Sequence, residues 1–233
     1  MKGLKTIAVI FTAALAMTAL QSCDNDDEYI YTGAYPNAMV TVKKTADGGV
    51  YLQLDDKTTL LPVNMKKSPY YLDEVRAFAS IRFTDDDSNG YTKAAYVQYL
   101  DSVLTKFTAP DLGTGNDEAY GNDPIDIVRD WTTVVEDGFI TLRIRAPWGN
   151  SSKAHYINLL RNTNGENPYE VELRHDARGD IYGPSRDAVV AFNLKDLPDT
   201  GGKTVKLKVK WKSPAGTKTH EFDYRSRGTQ PEE

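Results

Sequence analysis

Apolar and polar residues alternate with a period of two along most of this chain, in short runs separated by turn-forming residues. In residues 205–212, Val, Leu, Val and Trp alternate with four lysines, and residues 140–146 and 169–174 follow the same rule. Successive side chains of a strand point to opposite faces, so each run buries one face and exposes the other. This pattern predicts an all-β protein built from many short strands.

A segment with few apolar residues divides the pattern into two parts. Residues 111–123 are rich in Gly, Asn and Asp and are predicted to be a linker. Before it, residues 35–110 hold about five predicted strands, which suits a small OB-type β-barrel. After it, residues 124–228 hold about seven short strands, a number typical of an antiparallel β-sandwich. Residues 93–107 fit helical spacing, but residues 91–99 also fit a Tyr-rich strand, and periodicity alone does not decide between them. We choose a strand followed by a short turn, partly on the family resemblance described below.

The first 22 residues have the pattern of a lipoprotein signal peptide. Two lysines precede an apolar run at 7–20, which is too short to span a bilayer comfortably. The run ends in Leu20-Gln21-Ser22-Cys23, which resembles a bacterial lipobox. We therefore predict cleavage before Cys23 and a covalent lipid on its thiol, which anchors the chain in a membrane. An ordinary secretory signal with an incidental cysteine is the alternative. Because Cys23 is the single cysteine of the chain, a disulfide framework and a Cys-based zinc cluster are excluded.

The segment 23–34 begins with an acidic run and is predicted to be a flexible tether. An acidic run directly after a lipidated cysteine also resembles the surface-export signal of lipoproteins in one group of gut-dwelling Gram-negative bacteria. We expect an outer-membrane lipoprotein that faces the cell exterior, with the periplasmic face as the alternative. Cleavage leaves 26 basic against 33 acidic residues, a net charge of -7, because the signal peptide contains two lysines and no acid. We therefore expect no nucleic-acid partner.

Several short motifs in the second half resemble one known family. They are Asp-Pro-Ile at 123–125, His-Tyr-Ile-Asn-Leu at 155–159, Glu-Leu-Arg-His-Asp at 172–176 and Gly-Asp at 179–180. Together with the lipobox they resemble the NigD-like lipoproteins, and that resemblance implies an N-terminal OB-type domain and a C-terminal β-sandwich. The family takes its name from a bacteriocin gene cluster, where an immunity or accessory role has been suggested. We therefore expect a non-catalytic binding, accessory or immunity-type module with an unidentified protein or glycan partner.

The three histidines are candidate binding residues. Strand parity places His155, His175 and His220 on apolar faces, so we interpret them as buried neutral imidazoles that hydrogen-bond to backbone or carboxylate groups. One alternative is that His175 pairs with Asp176 or Asp180 and fixes a loop. Another is that the histidines converge in a metal or acid–base cluster, which the sequence alone does not show. The candidate binding residues are His155, Arg174, His175 and Asp180.

One loop matches half of a calcium-binding motif. Asp85, Asp87 and Asn89 follow the D-x-D-x-N-G pattern, but the twelfth position is Tyr96 instead of the bidentate Glu that usually closes the site. We interpret the loop as a solvated hairpin tip, with a weak calcium site as the alternative. No other cofactor is expected.

Short catalytic signatures are missing from the sequence. It contains no G-x-S-x-G elbow, no phosphate-binding P-loop, no G-x-G-x-x-G and no H-E-x-x-H. We therefore nominate no catalytic residue and expect a protein that is not an enzyme. An envelope hydrolase acting on glycan or peptide is one alternative. It requires convergent carboxylates or a His/Asp/Ser cluster in a cleft, and the placement of His155, His175 and Asp180 tests it. A structural spacer without a ligand is the other.

Overall fold

The computed structural model describes residues 35–150, 152–162 and 167–227. The predicted signal peptide, Cys23 and the acidic tether lie outside the described residues. Within them, nearly all regular structure is β, which confirms the all-β prediction. The strands are β1 (Ala38–Lys44), β2 (Val50–Gln53), β3 (Thr59–Pro62), β4 (Glu74–Thr84), β5 (Lys93–Ser102), β6 (Leu104–Phe107), β7 (Ala109–Pro110), β8 (Asp126–Val128), β9 (Val134–Glu136), β10 (Phe139–Pro147), β11 (Tyr156–Arg161), β12 (Glu170–Asp176), β13 (Ser185–Asn193), β14 (Val205–Ser213) and β15 (Gly216–Tyr224). A short helix, α1 (Asn116–Tyr120), follows a 3-10 turn at Gly113–Gly115, and no helix in these ranges is long and apolar enough to cross a membrane.

The first five strands close into a barrel in the order β1-β2-β3-β5-β4. Alternation determines its core, because each strand turns its apolar residues inward, where they fill the interior. These residues include Val40, Val42, Leu52, Leu60, Ala77, Ala79, Ala95 and Val97. The barrel confirms the OB-type prediction. Strand β5 confirms the choice of a strand over a helix, although the strand reaches to Ser102 and only one residue separates it from β6.

The remaining strands form a β-sandwich of two sheets. One sheet has the order β6-β13-β10-β8, with β9 also pairing to β10, and the other has the order β15-β14-β12-β11-β7. The inner faces bury one continuous core that includes Ile140, Leu142, Leu159, Leu173, Phe192, Leu207 and Trp211. The sandwich prediction is confirmed, but not every pair is antiparallel. β14 runs parallel to β12 because the chain crosses to the other sheet as β13 and returns, and β6 and β7 also pair in parallel.

The sandwich includes two strands that precede its predicted start at residue 124 and lie in the range predicted for the barrel. Strand β6 pairs with β13 and strand β7 pairs with β11, so the connection from the barrel supplies an edge strand to each sheet. The predicted linker at 111–123 also contains α1. Its polar residues satisfy the backbone locally, because Asn116 Oδ1 accepts the Leu112 N–H and Asp111 Oδ1 accepts the Gly113 N–H. This segment, whose composition is typical of loops, is folded against the sandwich.

A buried ion pair joins the barrel to the sandwich. Arg76 on β4 is fully buried, and its Nη2 lies 2.7 Å from Glu136 Oε1 on β9. Its Nη1 donates to Thr41 Oγ1 on β1 at 3.1 Å. Burial raises the pKa of the Glu136 carboxyl, and the adjacent Arg76 guanidinium opposes that rise. Each charge is therefore shielded from water and depends on its partner in the other domain.

A second group of charges at the same interface centres on Asp137. Its carboxylate lies 2.8 Å from Lys43 Nζ of the barrel and 3.0 Å from Arg227 Nε. Arg227 also pairs with Glu74 of β4 at 2.6 Å and stacks over the Phe139 ring at 4.9 Å. The C-terminal end of the described chain thus binds both domains at once.

We expect Arg76→Ala to lower the free energy of unfolding by about 3–5 kcal/mol, because the Glu136 carboxylate would remain buried without a counterion. Urea denaturation measures this change. Lys206→Ala is the matched control, since the Lys206–Asp223 pair is exposed and should contribute nothing measurable. An Arg76→Ala effect no larger than the control would contradict the interdomain role of the ion pair.

Candidate functional site

Two histidines meet at one end of the sandwich, where the loops after β10 and β12 come together. His155 directly precedes β11, and His175 is the next-to-last residue of β12. Because Ile157 is the cross-strand partner of His175, His155 lies two residues further along the same inner face. Both side chains are almost fully buried there.

The two rings belong to a continuous chain of hydrogen-bonding groups, which we call the histidine chain. His175 Nδ1 lies 3.2 Å from the Pro124 carbonyl oxygen, and His175 Nε2 lies 2.9 Å from His155 Nδ1. His155 Nε2 lies 3.4 Å from Asp180 Oδ2. The sequence predicted the burial, whereas the meeting of His155, His175 and Asp180 is a property of the fold. The predicted contact of His175 with Asp180 is indirect, because His155 lies between them.

Backbone groups and an aromatic ring hold the Asp180 end of the histidine chain. The Asp180 carboxylate accepts the Asn150 N–H at 3.0 Å and the Gly149 N–H at 3.3 Å. The Asn150 N–H, together with the hydrogen bond from His155, lowers the pKa of Asp180, which is therefore ionised at neutral pH. The Trp148 indole stacks on the His155 ring with centroids 4.7 Å apart. Burial lowers the pKa of His175 at the other end.

Two glycines let the loops approach each other closely. A Cβ on Gly149 would lie 2.5 Å from the Tyr182 carbonyl oxygen, and one on Gly183 would lie 2.5 Å from the Gly149 Cα. The Trp148 N–H donates to the Pro184 carbonyl oxygen at 3.0 Å. The loops are thus packed backbone to backbone, which fixes the positions of Asp180 and Trp148 relative to the imidazoles.

The histidine chain has room for a proton between its rings but not for a metal ion. The ring centroids are 5.0 Å apart and the facing nitrogens 2.9 Å apart, so the rings meet nearly edge to edge. A tetrahedral metal ion bound by two imidazoles lies about 2.0 Å from each nitrogen, which places the nitrogens roughly 3.3 Å apart. Within the described residues, no group of three or more His, Cys, Asp or Glu side chains is placed to hold a metal ion.

Two cavities flank His175, one on each side. The first has a volume of about 110 Å³ and is lined mainly by apolar side chains together with both imidazoles. The second has a volume of about 280 Å³ and is lined by three prolines, Ile181, Asp180 and His175. Four residues at this end of the sandwich, Tyr156, Arg178, Ile181 and Tyr182, make up what we call the loop-end surface, and Ile181 also lines the second cavity. All four residues are exposed, Tyr182 by 79%, and Arg178 stacks over the Tyr156 ring at 5.4 Å.

The other candidate binding residues lie outside the histidine chain. Arg174 is on the opposite face of β12, where it pairs with Asp117 of α1 at 2.7 Å and with Glu172 at 2.9 Å. It therefore holds α1 against the sandwich. His220 is on β15 and packs edge to face against the Phe222 ring, away from the other two histidines.

The half calcium motif forms the tip between β4 and β5. Asn89 has a positive φ of 49° and donates its N–H to Asp87 Oδ1 at 2.9 Å, as expected for a turn. Asp85 and Asp87 are exposed. Calcium binding by Asp85, Asp87 and Asn89 stays a prediction.

The sequence matches two family models that together cover most of the described chain. Residues 39–103 match the NigD-like N-terminal OB domain, and residues 108–224 match the NigD-like C-terminal beta sandwich domain. No curated protein matches the sequence.

Solved structures of other proteins share this two-domain fold. A protein named as toxin-related, from Parabacteroides distasonis ATCC 8503, is 32% identical with a TM-score of 0.68, and the match covers 81% of this chain and 92% of that one. A protein of unknown function from Bacteroides vulgatus ATCC 8482 is 21% identical with a TM-score of 0.63, covering 82% and 91%. A NigD-like immunity protein from Bacteroides caccae ATCC 43185 is 23% identical with a TM-score of 0.57, covering 82% and 97%. The last two likenesses show a common fold.

We expect Gly149→Ala to lower the melting temperature by at least about 2–4 °C, the shift that about 1 kcal/mol produces in a chain of this size. The added methyl group would collide with the Tyr182 carbonyl oxygen. Gly115→Ala is the matched control, because the nearest atom to its Cβ would be Leu112 Cβ at 3.6 Å, an ordinary contact. Thermal unfolding followed by circular dichroism measures both. Equal melting temperatures for the two variants would contradict the tight packing of the loops.

Proposed function

Because the chain belongs to the NigD-like family, we propose that it is a lipid-anchored protein of the cell envelope that acts by binding a partner and not by catalysis. The observation that carries this proposal is the histidine chain. It brings two imidazoles and a carboxylate together, yet each of its ring nitrogens faces a partner within the protein. A catalytic acid or base must instead present an atom to the substrate.

The loop-end surface supports a protein partner. Tyr and Arg are enriched where protein–protein interfaces store most of their binding energy, and Ile181 and Tyr182 are large apolar groups exposed to solvent. The stacking of Arg178 on Tyr156 and the packed loops below hold these side chains in place, which reduces the entropy lost on binding. Arg178 gives the surface a positive charge, so a partner with an acidic surface fits it best. An exposed patch of this kind also speaks against a purely structural spacer.

An immunity or accessory role is the most specific form of the proposal. One relative at 32% identity is named as toxin-related, and a more distant one is named as an immunity protein. A protein that captures a toxin at the envelope needs an anchor, a rigid scaffold and an exposed surface. The predicted lipid on Cys23 would supply the anchor, and the loop-end surface would supply the exposed surface.

An envelope hydrolase acting on glycan or peptide is the second candidate. It is favoured by the convergence of His155, His175 and Asp180, which supplies the His and Asp members of the His/Asp/Ser cluster that this hypothesis requires. Against it, both ends of the histidine chain are hydrogen-bond acceptors, and no hydroxyl group of the described residues hydrogen-bonds to either of its rings. A nucleophilic triad needs such a hydroxyl or a thiol next to the base.

We expect deletion of the gene to sensitise the producing strain to culture supernatants of bacteriocin-producing relatives. Expression of the wild-type chain should restore survival, whereas Tyr182→Ala combined with Arg178→Ala should not. Tyr71→Ala is the control, because Tyr71 is even more exposed than Tyr182 but lies in the barrel domain, between β3 and β4. Survival that is unchanged by the deletion would contradict an immunity role. Restoration by the double variant would show that the loop-end surface is not the binding surface.

We expect Cys23→Ala to remove the acyl chains and release the protein from the membrane fraction, because each buried methylene contributes about 0.8 kcal/mol to anchoring. Fractionation and metabolic labelling with a palmitate analogue measure this. Protease treatment of intact cells should degrade the wild-type protein if the proposed outward orientation is correct. Membrane association that persists in Cys23→Ala would refute the anchor, and full protection from the protease would place the protein on the periplasmic face.

A further inference from the structure

We infer that the His155–His175 pair binds one extra proton in the folded protein and is therefore a cation that fastens the two loops of the sandwich end to each other. This inference goes beyond the proposed function and does not depend on it. It rests on the number of protons that the geometry of the histidine chain requires.

The count follows from the groups at the two ends. The Pro124 carbonyl oxygen and the ionised Asp180 carboxylate can accept hydrogen bonds but cannot donate them. Between these ends there are three gaps, at 3.2, 2.9 and 3.4 Å. Two neutral imidazoles carry one ring proton each and can fill two gaps. Filling the third requires a third proton, and that makes one of the two rings an imidazolium.

The surroundings place the extra proton on His155. Burial lowers the pKa of His175, which keeps that ring neutral, so it donates from Nδ1 to Pro124 and accepts at Nε2. His155 then donates from both nitrogens, to His175 and to the Asp180 carboxylate. The Trp148 indole lies parallel to the His155 ring with centroids 4.7 Å apart, a position that favours a positively charged ring.

Other charged groups near the pair include carboxylates and cations. Asp123 and Asp176 both act electrostatically on His175 and favour a positive charge. Their carboxylates accept backbone N–H groups of Ala177 and Arg178. Arg186 of β13 lines the smaller cavity together with both imidazoles and opposes a positive charge, but its Nε donates to the Trp148 carbonyl oxygen. Lys106 of β6 is the other nearby cation, and its Nζ contacts the Ile157 carbonyl oxygen.

The extra proton adds a link between two loops that also meet through backbone packing and through the hydrogen bonds of the Gly149 and Asn150 N–H groups to the Asp180 carboxylate. His155 ends the loop after β10, and Asp180 belongs to the loop after β12. Loss of the proton would leave the His155 Nε2 lone pair facing the carboxylate, which is repulsive. A proton bound more tightly in the folded than in the unfolded chain stabilises the fold fully below the unfolded histidine value of about 6.5, and this stabilisation is lost as the pH rises through the folded value. The loop-end surface should therefore loosen on the alkaline side.

The direct test is 15N NMR of histidine side chains in the full mature chain, labelled selectively at histidine. The chain contains three histidines, and His→Gln variants assign their signals. At pH 7.5 we expect His155 to have both nitrogens protonated and His175 to have a proton on Nδ1 only. Signals of two neutral rings at pH 7.5 would overturn the inference.

Two variants test whether the Asp180 carboxylate is what makes the histidine pair bind the extra proton. Asp180→Asn removes the negative end of the histidine chain and should weaken proton binding by the pair at least tenfold, a fall of one unit or more in the pH at which the proton leaves. Asp176→Asn is the matched control and should have a smaller effect, since Asp176 contacts neither ring directly. In the wild type, amide protection of the two loops should fall above that pH while the barrel is unaffected. Equal shifts in the two variants, or protection that does not change with pH, would contradict the inference.

Discussion

The buried ion pair between Arg76 and Glu136 is the interaction on which the joining of the two domains depends. Its two charges come from different domains, and neither is paired within its own. An isolated barrel would expose or bury a bare guanidinium, and an isolated sandwich would do the same with a carboxylate. Because an unpaired buried charge is far more costly than a paired one, the domains should fold and persist as one unit. The loops at the far end of the sandwich therefore stand on a rigid base.

The cost of leaving a buried polar group without a partner also governs the histidine chain. Each polar atom along it, from the Pro124 carbonyl to the Asp180 carboxylate, finds its partner inside the protein. Such a network orders the surrounding loops, but it leaves no group free to act on a substrate. The part of this region that faces outward is aromatic and apolar, with Tyr182 as its most exposed large side chain. Buried polar atoms that are all hydrogen-bonded within the protein, together with large exposed side chains next to them, fit the proposed binding surface.

Period-2 alternation was sufficient to predict strands in both domains, because it reports which face of each strand is buried, but the choice of a strand for β5 also needed the family resemblance. Alternation could not predict β6, whose burial does not alternate, or β7, which has two residues. The composition of residues 111–123 predicted a linker, but the polar side chains of this segment hydrogen-bond to its own backbone and fold it. Parity placed His155 and His175 on inner faces, but their contact depends on strand register, which parity does not encode. Trp148 belongs to a loop without periodicity, and no sequence signal marked its place against His155.

The central claim is that the histidine chain orders a binding surface and performs no chemistry. Complementation of the gene-deletion strain with His155→Gln tests it most directly, at a temperature well below the unfolding midpoint of the variant. Glutamine keeps a hydrogen-bonding side chain but cannot act as a general acid or base. The account predicts that a His155→Gln chain whose loop-end surface keeps the order it has in the wild type restores survival as the wild type does. Loss of survival in a variant shown by circular dichroism to be fully folded, with the loop-end surface unchanged, would contradict it.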